Sequence, residues 1–111
     1  MKRLYIVVRS DISPGLQLAQ ACHAAREFTR LLPGEDVGDN LVVLGAASLA
    51  ELVELVDRAD GVCAVVPFYE PDLGGEMTAA AFGLGARRIL SSSPLALRGP
   101  TDSPRLSDLT G

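Results

Sequence analysis

Glu70-Pro71-Asp72-Leu73-Gly74-Gly75-Glu76-Met77-Thr78-Ala79-Ala80-Ala81-Phe82-Gly83 is an acidic, glycine-rich loop running into an apolar segment. Val62-Cys63-Ala64-Val65-Val66 precedes it and reads as a strand, and Met77 to Phe82 reads as another. A loop held between two strands aims its carboxylates, so Glu70 and Asp72 become candidates for chemistry. Alanines within Met77–Phe82 imply that a neighbouring element packs closely over that strand.

Working outward, Leu4 to Val8 is a near-continuous apolar run rich in β-branched residues, the pattern of a strand covered on both faces. Ser13-Pro14 reads as an N-cap and first helical position. The helix it opens runs to about Leu32, with Leu18, Ala21, Cys22, Ala25 and Phe28 or Thr29 along its inner side, and Pro33-Gly34 ends it. Leu41 to Leu44 is a short second strand. Ser48 and Glu51 form a capping box for a second helix that buries Leu49, Leu52, Val53, Val56 and Ala59. Asp60-Gly61 ends that helix, and a short last helix lies around Ala86 to Leu90. The expected fold is α/β and three-layered, a small mixed four-stranded sheet with helices on both faces. Residues 1–90 form one domain. Residues 91–111 form an extended C-terminal tail, docked in part through Leu95 and Leu97.

Composition narrows the function. The chain has 111 residues, 48% of them hydrophobic, enough for one domain with a real core. No apolar run reaches the roughly 18 residues that span a bilayer, and no signal-peptide pattern follows the N-terminal strand. The expectation is a cytoplasmic protein with no membrane association. Cys22 and Cys63 have no metal-like spacing and read as free core thiols. The net charge is −4, and all ten basic residues except Lys2 are arginine. Nucleic-acid binding is not advertised by that balance, although a local basic patch on an acidic protein remains compatible with it. With neither a Gly-x-Gly-x-x-Gly nor a Walker motif, no nucleotide cofactor is expected, and no metal.

Polar residues gather where strands of such a sheet end, the usual crevice of α/β folds: Arg9 and Asp11 after the first, Glu70 and Asp72 after the third. His23, the only histidine, shares a helical face with Gln20, Glu27 and Arg30. It is either part of a solvated polar stripe or a ligand or proton-transfer group over the strand exits. Cys22 is not its partner, because adjacent helical residues point about 100° apart. Asp72 is either a turn aspartate satisfying nearby amides or a catalytic carboxylate. Thr78 is either an ordinary strand residue or a site residue. Gly74-Gly75 would let a substrate backbone approach. Gly15 opens the first helix, where the amides of Leu16 and Gln17 are candidates to hold an anion. Arg87-Arg88 is either a phosphate grip or a cation pair late in the last helix.

Val7-Val8-Arg9-Ser10-Asp11-Ile12-Ser13-Pro14-Gly15 followed by Gln20-Ala21-Cys22-His23-Ala24-Ala25 resembles the amino-terminal signature of the type II peptidyl-tRNA hydrolases. The Glu70–Gly83 stretch resembles that family's second signature, an aspartate-led loop before a threonine-containing last strand. The resemblance covers about Met1 to Leu90. It implies hydrolysis of the ester joining a peptide to the terminal ribose of tRNA, with no cofactor or metal, by a protein that forms homodimers. Residue by residue, it implies catalytic roles for Asp72, Thr78 and His23, and substrate binding by Arg9, Asp11, Gly15, Gln17, Gln20, Gly74 and Gly75. The family's glycine turn also carries a lysine before the helix. Here that turn is shorter and Leu16-Gln17 stands there, which leaves Arg9 or Gln17 to supply the donor. Two other classes stay open: a non-catalytic module of this fold that binds tRNA or peptide, and a small-ligand-binding domain.

Overall fold

The structure is a computed structural model that describes residues 2–97 and 105–108. Four strands form one sheet: β1 (Arg3–Arg9), β2 (Asn40–Ala46), β3 (Val65–Glu70) and β4 (Glu76–Phe82). Their order is β2-β1-β4-β3. β1 is parallel to β2 and antiparallel to β4, which is antiparallel to β3, so the first three strands end at the edge where β4 begins. Helix α1 (Pro14–Leu31) covers one face. Helices α2 (Leu49–Ala59) and α3 (Arg87–Leu90) cover the other. The three-layer mixed sheet expected from sequence is the architecture observed.

Local chemistry accounts for the helix ends. Ser13 Oγ accepts from the Leu16 amide at 3.4 Å, with Pro14 in the first turn. Ser48 Oγ accepts from Glu51 N at 3.2 Å, and Glu51 Oε2 reaches back to the Ala47 amide at 3.0 Å. β1 is apolar on both faces because both faces are used. Tyr5 and Val7 join the α2-side core, while Leu4, Ile6 and Val8 join the α1-side core. Ala79, Ala80 and Ala81 are fully buried; close packing over β4 is expected from the alanines, and α1 and α2 lie against it from both faces.

Several expectations need correcting. The third strand is Val65–Glu70, later than Val62–Val66. The Val62 and Cys63 amides still donate to Ala59 O at the end of α2, and Val62 is exposed. The strand then continues through Pro67. The ladder bond from Gly83 N to Ala64 O at 2.8 Å sets the hydrogen-bonding parity, which leaves residue 67 facing away from β4. On an edge strand the missing proline N–H is therefore harmless.

α1 is also rotated from the expected face. Gln17, Gln20, Ala21, Ala24 and Phe28 are buried, while Leu18 and Cys22 are exposed. α2 buries Leu55 beside Leu52 and Ala59, and Val53 faces out. Cys22 is thus not a core thiol, although both cysteines are free as expected.

The described part of the tail is docked. Gly45 N donates to Pro94 O and Ala96 N to Val43 O, so residues 94–96 lie along the outer edge of β2. Leu95 packs into the α2-side core, whereas Leu97 is exposed. Leu106 is wholly buried in that core, and its amide donates to Ser93 O. Leu106→Ala should therefore destabilise the fold by about 2–5 kcal/mol, the usual cost of truncating a fully buried leucine. Equilibrium denaturation measures this, and a change near zero would show that the tail does not dock.

Candidate functional site at the β1 exit, helix α1 and the β3–β4 hairpin

A bulge in β4 builds the site. Phe68 pairs with Ala79 and Tyr69 with Met77, so Thr78 is the extra residue between them. Met77 packs on the α2 side and Ala79 on the α1 side. The bulge turns Thr78 toward α1, where its hydroxyl donates to Gln20 Oε1 at 2.5 Å. Both residues are buried, and the bond pins the N-terminal half of α1 beside the base of the hairpin. With its carbonyl oxygen engaged, Gln20 keeps its two amide N–H groups, which form no hydrogen bond among the described residues.

His23, one turn further along α1, is exposed and stacks on Phe68 of β3, with ring centroids 5.0 Å apart and planes inclined by 21°. It makes no hydrogen bond to Thr78 or Asp72 among the described residues, so a proton relay among the three is not what this geometry provides. Asp72 lies on the 3₁₀ turn Pro71–Leu73 of the hairpin, exposed and free of hydrogen bonds among the described residues. It does not serve as the turn's capping group; the Gly75 amide closes the loop onto Glu70 O at 3.0 Å. Gly74 and Gly75 have φ of 67° and 78°, and a Cβ on either would meet nothing within 4 Å. Backbone conformation, rather than close approach, is what requires glycine there.

Arg9 is largely engaged. Its Nε and one terminal nitrogen grip both carboxylate oxygens of Asp11 at 2.9 and 2.8 Å. The other terminal nitrogen donates to Glu76 Oε1 and Met77 O, each at 3.3 Å. The Asp11 hydrogen bonds raise the Arg9 pKa further, and the same bonds hold the Asp11 carboxyl below its usual range. Arg9 therefore ties the end of β1 to the start of β4 with four of its five N–H donors. Gln17 is buried, and its Nε2 donates one of its two N–H groups to Ile12 O at 2.8 Å. The amides proposed to hold an anion beside Gly15 are engaged: Leu16 N on Ser13 Oγ and Gln17 N on Ser13 O. Arg9 and Gln17, the two groups considered as substitutes for the family lysine, are thus largely engaged by the fold, whereas Gln20 keeps both amide N–H groups.

The structure thus brings Gln20, Thr78 and His23 onto one face, with Asp72 on the hairpin beyond them. It assigns Arg9 and Asp11 to a structural clasp. Asp11, Glu70, Asp72 and Glu76 make this rim acidic. Glu76 and Phe68 escaped the sequence reading. Phe68 lies just beyond the Val62–Val66 segment read as the third strand, and Glu76 has its partner, Arg9, remote in sequence.

Comparison with known proteins finds no family model that matches the chain and no curated protein that matches it.

The clasp has a pH signature. A carboxylate whose folded pKa is depressed stabilises the fold above its unfolded value, about 3.9, and that contribution disappears as pH falls through the lower folded value. Asp11→Asn should cost at most about 1 kcal/mol at pH 7, because the pair is partly exposed and screened. In urea titrations from pH 7 down to the acid limit of folding, the difference from wild type should close only below the usual carboxylate range. A gap that does not change with pH would contradict the assignment.

Proposed function

We propose that the chain hydrolyses the ester of peptidyl-tRNA or of an N-blocked aminoacyl-tRNA, releasing peptide and free tRNA. The observation that carries this reading is the buried Thr78–Gln20 hydrogen bond, which orients the Gln20 amide as a donor beside the hairpin bearing Asp72. Asp72 orients and deprotonates a water. The resulting hydroxide attacks the ester carbonyl, and the developing oxyanion accepts from Gln20 Nε2. The C–O bond to the terminal ribose then breaks, and the proton held by Asp72 passes to the departing ribose oxygen. Thr78 acts by holding Gln20. The same reading makes cytoplasmic tRNA the partner and a homodimer the working form.

A second reading is a non-catalytic module that binds tRNA or peptide, and the engagement of Arg9 by Asp11 and Glu76, together with the acidic rim, favours it. Single-turnover hydrolysis of N-acetyl-aminoacyl-tRNA separates the two. Asp72→Ala should abolish cleavage and leave the fold intact, because Asp72 is exposed and unbonded. Gln20→Ala should slow cleavage by about 10²–10³, the usual effect of losing one oxyanion donor. Salt-dependent tRNA binding by wild type without any cleavage would select the second reading.

A further inference from the structure

The His23–Phe68 stack is not used by the hydrolytic chemistry above, yet it occupies the flank of α1 next to Gln20. Phe68 packs against the α1-side core and holds the imidazole plane from beneath. One face of the imidazole is spent on Phe68, and because His23 remains exposed, the opposite face is presented to solvent. A ring whose orientation is already set loses little rotamer freedom when a second ring stacks on it. Planar bases of single-stranded RNA are recognised in this way, on aromatic side chains that present a free face. One turn further along α1, Arg26 is exposed and makes no ion pair among the described residues.

We propose that His23, backed by Phe68, is a stacking platform for the 3′-terminal nucleobase of an acylated RNA, with Arg26 meeting an adjoining phosphate. The identity of the ligand rests on the acyl-tRNA reading given above. Spacing connects the two sites. Gln20 and His23 are three residues apart, roughly 4.5 Å along the helix axis at 1.5 Å per residue. That is the scale of one ribose, and the scissile ester sits on the ribose of the same nucleotide whose base would lie on His23. The role assigned to His23 is therefore positioning through its ring face rather than proton transfer.

Since His23 is the only histidine, the ring proton of the untagged chain is a unique reporter in one-dimensional proton NMR. Titration with the trinucleotide CCA should move the His23 Cε1–H resonance upfield and saturably. Adenosine monophosphate, tested in parallel, distinguishes a free nucleotide from an RNA end: the RNA end should bind more tightly. His23→Ala should weaken CCA binding about tenfold or more, as loss of one stacked base does, while His23→Phe should restore it. In the hydrolysis assay His23→Ala should raise KM with little change in kcat.

The proposal is overturned if CCA leaves the ring proton unmoved. It is equally overturned if His23→Ala binds as wild type does, if His23→Phe is as weak as His23→Ala, or if the free nucleotide binds better than CCA. The two readings fail separately. A platform that binds CCA on a chain that cleaves no ester ends the hydrolase reading alone, whereas cleavage with an unchanged KM in His23→Ala ends the platform alone.

Discussion

A buried threonine hydroxyl needs a partner, and the arrangement of α1 on the sheet follows from where Thr78 finds one. Leaving such a group unpaired costs about 1–3 kcal/mol. Strict alternation along β4 would send Thr78 to the α2 side with Ala80, into a wholly apolar cluster. The bulge opposite Phe68 and Tyr69 reverses it toward α1, and Gln20 meets it there. Each half of this arrangement depends on the other, because neither a buried glutamine carbonyl nor a buried hydroxyl is stable alone. The rotation of α1 follows. Turning Gln17 and Gln20 inward sends Leu18 and Cys22 outward and brings His23 to the flank of β3.

The same end of the sheet shows how charge is divided between fold and site. Arg9 spends four of its five N–H donors on Asp11, Glu76 and the Met77 carbonyl, closing a clasp between the last residue of β1 and the first residues of β4. With most of that guanidinium committed, the groups left nearby are the amide of buried Gln20, the exposed His23 ring, the exposed Arg26 cation and the exposed Asp72 carboxylate. The net charge of −4 fits that division.

The two sheet edges are protected by different means. Residues 94–96 hydrogen-bond along β2 and cover its outer side, anchored by Leu95 and further along by Leu106. β3 stays at the opposite edge, and Pro67 removes an outward-pointing N–H from it. What such a proline does in a strand depends on whether the strand is central or at an edge, which the sequence by itself does not show.

Much of the fold was legible in the residues. A branched apolar run located β1, the apolar run Met77–Phe82 located β4, Ser13-Pro14 and Ser48–Glu51 located the starts of α1 and α2, and the alanines of β4 signalled that something packs closely over it. These are local signals, carried by propensity and capping within a few residues. Other features depend on partners remote in sequence. Apolar spacing alone favoured the Leu18–Cys22 face of α1, because it cannot see Thr78, 58 residues from Gln20, offering a hydrogen bond to the other face. Arg9 read as a free cation until Glu76 and the Met77 carbonyl were placed beside it. Thus the chain by itself determined which elements form and where acidic, amide and imidazole groups are supplied. Only the tertiary structure decided which of those groups are consumed by the fold and which remain available, because a hydrogen bond or ion pair between distant residues leaves no periodic trace along the chain.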